Sequence, residues 1–131
     1  MNYAEIKTYD VANGPGIRLS LFVSGCPHRC PGCFNQQAWD FSYGKPFTNE
    51  TINCIIKELS FPAYAGITFL GGEPFAKENQ HDLLLLAKKL KKLTLIKTYG
   101  AIPVMNLNGT LWDICMINGH TQKNLCHILT F

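Results

Sequence analysis

The sequence lacks an apolar run long enough to cross a membrane. Residues 1–5, Met-Asn-Tyr-Ala-Glu, hold neither the basic nor the apolar stretch of a secretory leader. A cytoplasmic protein is expected, and the glycosylation patterns at Asn49-Glu-Thr51 and Asn108-Gly-Thr110 carry no meaning there. A strong charge of either sign is missing as well. The formal net charge is +3, and the lysines gather between Lys88 and Lys97, which reads as one solvated helix face rather than a nucleic-acid surface. With no internal repeat or low-complexity tract, the 131 residues, 47% apolar and 16% charged, are expected to form a single globular domain.

What the chain does have is cysteine. Six thiols would suggest disulfides outside the cell, but in a reducing compartment a cluster of them favours metal or redox chemistry. Cys26, Cys30 and Cys33 fall in the order C-x3-C-x2-C, just after an apolar run at residues 19–23 that reads as a buried strand. Prolines and glycines around them forbid regular structure and let the loop fold tightly, so that three sulfurs can converge on one centre. A closed zinc or iron–sulfur site uses four protein ligands, so three leave one position for something that is not protein. Two other arrangements stay open at this point: a zinc module that takes His28 as its fourth ligand, or an electron-transfer protein that takes Cys54, Cys115 or Cys126. His28 otherwise reads as an exposed loop residue, and Cys54 as a small buried one beside an apolar helix stripe.

The pattern along the chain predicts strands over residues 3–9, 17–23 and 66–70, with loops over 10–16 and 40–46. Thr48 is placed to cap a helix with Glu50 in its first turn and Ile52, Ile55, Ile56 and Leu59 on its buried face. A second helix is predicted over 79–92, with Leu83, Leu86, Leu90 and Leu93 inward and Lys88, Lys89, Lys91 and Lys92 outward. Strand, helix and strand make a parallel β-α-β unit. Its site belongs at the carboxyl ends of the strands, where the cysteine loop and Gly71-Gly72-Glu73-Pro74 would face each other across one cleft.

The C-x3-C-x2-C loop after one strand and Gly-Gly-Glu-Pro after the next resemble the radical S-adenosylmethionine enzymes. Asn13-Gly-Pro-Gly-Ile-Arg18, Cys33-Phe-Asn35, Trp39, Gly44-Lys-Pro-Phe47 and Leu70-Gly-Gly-Glu-Pro-Phe75 are similar to the activases of anaerobic ribonucleoside-triphosphate reductase over residues 1–92. One departure is Gly32 before the third cysteine, where the superfamily carries an aromatic residue; here Phe34 follows that cysteine. The resemblance implies an α/β fold, a partial (half) β/α barrel shortened at its carboxyl end. It also implies one 4Fe-4S cluster held by Cys26, Cys30 and Cys33, with S-adenosylmethionine on the fourth iron. No catalytic side chain beyond the cluster is implied. Cofactor contacts would come from Gly32, Cys33, Phe34, Gly71, Gly72 and Glu73, with Glu73 accepting from the methionine ammonium and Phe34 meeting the adenine. The partners would be the large subunit of the reductase, in which a glycyl radical is installed, and reduced flavodoxin or a similar donor, with no nucleic acid or membrane. An activase of the pyruvate formate-lyase type is the alternative. Arg18 is assigned to a partner surface, the cleft or a structural ion pair.

From about residue 93 the similarity ends. Joining the last base of each codon to the first two of the next lets residues 93–107 and 112–125 spell family-like text that includes Trp-Cys-Tyr-Thr-Gly-Tyr. Some junctions are forced by the code, since Met105-Asn106 can only yield Glu and Met116-Ile117 only Asp. A one-base slip within the adenine-rich codons of Lys88 to Lys92 would put residues 93–131 out of frame and make Cys115 and Cys126 accidental. Such a tail would leave apolar surface and a sheet edge uncovered.

Overall fold

The computed structural model describes residues 1–93 and the backbone of 98–101. Five strands, β1 (Asn2–Asp10), β2 (Ile17–Val23), β3 (Lys45–Pro46), β4 (Tyr64–Gly71) and β5 (Thr98–Ala101), form one sheet in the order β3-β1-β2-β4-β5. Two helices, α1 (Asn49–Leu59) and α2 (Lys77–Lys92), make the fold mixed α/β. β1 is antiparallel to both β2 and β3, whereas β2, β4 and β5 run parallel, with α1 between the first two and α2 between the last two. The predicted β-α-β unit is therefore present. Among the described residues no helix is long and apolar enough to cross a membrane.

Local chemistry explains where the elements begin and end. Thr48 caps α1: its Oγ1 accepts from the Thr51 N–H at 3.3 Å, and Thr51 Oγ1 accepts from the Thr48 N–H at 3.4 Å. α2 starts at Lys77, two residues earlier than the pattern predicts, because Ala76 serves as a cap without a side-chain bond and the first turn carries no apolar residue to mark it. The predicted 40–46 loop ends in β3, which pairs Lys45 with Tyr3 and Pro46 with Asn2. β5 pairs with the outer edge of β4, which the sequence reading leaves bare. The out-of-frame reading of the tail, with Cys115 and Cys126, otherwise lies outside the described residues.

Leu19, Leu21 and Val23 of β2 and Ile67 and Phe69 of β4 share one sheet face, where they form a single core with Ile52, Ile55 and Leu59 of α1 and Leu83, Leu86 and Leu90 of α2. Two inward assignments are corrected. Cys54 is exposed, since at 100° per residue it sits about 150° round the helix from the middle of that stripe. Leu93 is half exposed because α2 stops at Lys92, before the residue can turn inward.

The opposite face is buried but polar. Arg18, 2% exposed, donates through Nε to Thr68 Oγ1 at 2.6 Å and through Nη2 to the Ile67 carbonyl at 2.8 Å. Thr68 Oγ1 in turn donates to the Asn13 carbonyl at 2.9 Å, tying the 10–16 loop to β4. Arg18 therefore serves neither the cleft nor a partner surface. Beside it, Asp10 accepts from Ser20 Oγ and Asn13 Nδ2, each at 2.6 Å, and from the Ala12 N–H at 3.0 Å. These bonds, that of Ser20 foremost, hold its carboxyl well below the usual carboxylate range against the opposing effect of burial.

A carboxyl with a lowered folded-state pKa stabilises fully above its unfolded value of about 3.9, and the contribution is lost as pH falls below that. Asp10→Asn is expected to flatten the loss of stability between roughly pH 4 and pH 2, followed by urea unfolding across that range. An acid limb identical to that of the parent chain would contradict this role.

Candidate functional site

β2 and β4 are in parallel register from Arg18 beside Gly66 to Val23 beside Gly71, so their carboxyl ends release two loops side by side. Backbone hydrogen bonds carry the pairing beyond the strands. Gly72 N–H donates to the Val23 carbonyl and Glu73 N–H to the Gly25 carbonyl, both at 2.8 Å. On the other flank, Gly25 N–H reaches the Ala38 carbonyl at 2.9 Å and Cys26 N–H the Trp39 carbonyl at 3.2 Å. Ala38 and Trp39 belong to a single 3-10 turn, Gln36–Trp39. The start of the cysteine loop is thus held between this turn and the Gly-Gly loop.

That packing accounts for the two glycines. Gly71 adopts φ +105, a conformation L side chains rarely take, and a Cβ on Gly72 would lie 2.5 Å from the Gly25 carbonyl oxygen and 3.0 Å from that of Ala38. The sequence assigns both glycines to close approach of a ligand. Here the group they approach is the neighbouring main chain.

Cys26, Cys30 and Cys33 line one cavity together with Gly71 and Gly72, while Asn35, Ala38 and Trp39 close its remaining side. Cys26 is buried, and Cys30 and Cys33 are partly exposed. The cavity is small, about 30 Å³, and among the described residues no three Cys, His, Asp or Glu side chains stand grouped to hold a metal ion. Three thiols lining one cavity fit a three-thiolate centre in their donor chemistry. Between the thiols the chain passes through left-handed conformations at Arg29 (φ 46) and Gly32 (φ 77), and only the Cys33 N–H to Cys30 carbonyl bond, 3.1 Å, links one backbone position there to another. A wider cleft of about 540 Å³ lies on the other side of Cys26, lined by Arg29, Trp39 and Phe41 among others.

The remaining predicted residues are placed differently. Glu73 is 2% exposed; its Oε1 accepts from the Phe75 N–H at 2.9 Å, and its Oε2 lies 3.2 Å from His28 Nε2. A ligand ammonium reaching this carboxylate must therefore compete with His28. His28 is exposed, as its loop position suggests, but its ring spans from the cysteine loop to the second loop. A Cβ on Gly32 would meet no atom within 4 Å, so the glycine there answers to its φ of +77 alone. Phe34 is fully exposed. Gly32, Phe34 and Glu73 do not line the thiol cavity.

Sequence reasoning missed Asn79. Its buried side chain donates through Nδ2 to the Ser24 carbonyl at 3.0 Å and to the Glu73 carbonyl at 2.9 Å, and so touches both loops. The one signal in the sequence is an asparagine six residues beyond Glu73 at the start of a predicted helix, where a polar residue is unremarkable.

A family model described as "4Fe-4S single cluster domain" matches residues 12–129. The chain is 41% identical over 93 residues to the anaerobic ribonucleoside-triphosphate reductase-activating protein of Escherichia coli (strain K12), covering 70% of this chain and 60% of that protein. It is 38% identical over 131 residues to the protein of the same name from Enterobacteria phage T4, covering 95% and 84%. The Vibrio cholerae protein of that name is 41% identical over 93 residues, covering 70% and 60%. The chain thus spans about 60% of the length of the bacterial relatives it matches.

Because Gly72 has no room for a methyl group, Gly72→Ala is expected to push the two loops apart and to destabilise the metal-free protein by about 1–3 kcal/mol in chemical denaturation. A variant as stable as the parent would show that the loops yield freely.

Proposed function

From a chain that belongs to the family of 4Fe-4S single cluster domains and anaerobic ribonucleoside-triphosphate reductase-activating proteins, we propose an activase that installs a glycyl radical in such a reductase. The observation that carries this reading is the single cavity shared by Cys26, Cys30, Cys33, Gly71 and Gly72 at the carboxyl ends of two parallel strands.

Cys26, Cys30 and Cys33 would hold three irons of one 4Fe-4S cluster, which leaves the fourth for S-adenosylmethionine. A reduced cluster held there would supply one-electron cleavage of bound S-adenosylmethionine to methionine, the radical chemistry that a glycyl-radical activase needs. The protein's own part is to bind, orient and shield. Gly71 and Gly72 keep the floor of the cavity free of side chains, and Glu73 accepts from the cofactor ammonium once His28 gives way. Gly32, Cys33 and Phe34 form the outer flank, where the exposed Phe34 ring is open to the adenine. The electron would come from reduced flavodoxin or a similar donor in the cytoplasm, and the reductase large subunit would dock over the cavity. The succession β2-α1-β4-α2-β5 supports assignment to a half β/α barrel of the radical S-adenosylmethionine type.

Anaerobic reconstitution tests this directly. Four irons per chain, a spectrum that shifts on adding S-adenosylmethionine, and release of methionine and 5′-deoxyadenosine are expected. Cys26→Ser, Cys30→Ser and Cys33→Ser should each abolish the shift, whereas Cys54→Ser, exposed on α1, should retain it. A colourless protein with one tightly held zinc would overturn the proposal.

The reading of residues 93–131 as out of frame belongs with it. The bacterial matches cover 70% of the chain, whereas the phage relative covers 95% and the family model runs to residue 129, into the tail. The gene sequence decides the frame. A frame-corrected protein is expected to cleave S-adenosylmethionine faster than this chain, and equal rates would contradict the expected weakness of this chain's activity.

A further inference from the structure

Asn79 is the third residue of α2 and is fully buried. A side-chain amide has two N–H donors, and here one is given to each loop: to Ser24, the first residue after β2, and to Glu73, the second residue after β4. Its Oδ1 has no partner among the described residues, and neither has the buried Ser24 Oγ nearby. Leaving a buried acceptor unsatisfied is costly, and an apolar side chain of similar shape at this position would avoid that cost. What the amide provides in exchange is a fixed distance between the two loops, referred to a helix that Leu83, Leu86 and Leu90 anchor in the core.

We propose that Asn79 is the positioning residue of the site: its amide sets the spacing of the cysteine loop and the Gly71–Gly72 loop, and through the Glu73 main chain it places the Glu73 carboxylate. The link to cofactor affinity rests on the reading of the cavity as an S-adenosylmethionine site, whereas the link to loop geometry does not. The bonds Gly72 N–H to Val23 and Glu73 N–H to Gly25 are the ones the amide holds in register. Contact with cluster or cofactor is no part of the role.

Two measurements on Asn79→Leu and Asn79→Ala separate the links. Leucine removes the orphaned acceptor but also both donors, which leaves the Ser24 carbonyl without its partner while the Glu73 carbonyl keeps the Ala76 N–H, so the variant is expected to unfold at or a few degrees below the parent's temperature. In the metal-free protein, amide hydrogen exchange at Gly72 and Glu73 should quicken by roughly tenfold or more while exchange in the core of β4 is unchanged. In reconstituted protein, iron content should match the parent, while the S-adenosylmethionine dissociation constant, read from the cofactor-induced spectral shift, should rise by roughly 10-fold to 100-fold. Unchanged exchange at Gly72 and Glu73 overturns the proposal and leaves the cofactor reading intact. Faster exchange in a protein whose parent form shows no response to S-adenosylmethionine confirms the positioning role and removes the cofactor reading. Global loss of fold or of iron in both variants assigns Asn79 to the scaffold and overturns the proposal.

Discussion

Two hydrogen bonds, from Gly72 N–H to the Val23 carbonyl and from Glu73 N–H to the Gly25 carbonyl, carry the β2–β4 ladder past the point where both strands end. Parallel strands release their loops at the same edge, but nothing in sheet geometry obliges those loops to stay together. These bonds do so, and they bring the Gly72 Cα so near the Gly25 and Ala38 carbonyls that no side chain fits. The first cysteine then follows within one residue of a main chain fixed on two sides. Its burial, compared with the partial exposure of Cys30 and Cys33, is the direct result.

Behind that edge the sheet presents two unlike faces. One is apolar and covered by α1 and α2, where the leucines and isoleucines of four elements form a continuous core. The other is sealed by a hydrogen-bonded set in which Arg18, Thr68, Asn13, Asp10 and Ser20 satisfy one another and tie down the 10–16 loop. Directional bonds on that face fix the register of β1, β2 and β4 relative to one another in a way that apolar contacts, which tolerate sliding, do not. A register fixed in this way at the amino end of β2 determines which residues stand at its carboxyl end.

Much of this is legible in the sequence because it rests on local chemistry. The Thr48 cap, the Ile52, Ile55 and Leu59 stripe, the apolar strand at 17–23 and the C-x3-C-x2-C spacing each announce their role within a few residues. The misreadings occur where a residue's partner is far away in sequence. Arg18 stays undecided between a partner surface, the cleft and a structural ion pair until β4, 49 residues on, supplies its acceptor, and Asn79 looks like a helix start until Ser24, 55 residues back, is found beneath it. The contact that Glu73 makes with His28, 45 residues away in the other loop, is equally hidden in the sequence. Cys54 is a different kind of error: Ile52, Ile55 and Ile56 lie close to it in sequence, but helical rotation turns it away from their face.

The site is therefore built of a fixed half and an adaptable half. Gly71, Gly72 and Glu73 are held by backbone bonds, by the Asn79 amide and by the core beneath α2, whereas the segment from Pro27 to Phe34 is crossed by one backbone bond and the His28 contact. The cavity of about 30 Å³ between them has room for roughly two or three water-sized spheres. Thiolate–metal bonds are strong enough to impose a loop conformation, and their free energy is drawn on wherever a site is not preformed. The division of labour follows from this: the metal side of the proposed centre arranges its own ligands, while the organic side needs a surface that is already in place. The constraint that keeps Gly72 bare is thus also the one that fixes the floor of the cavity.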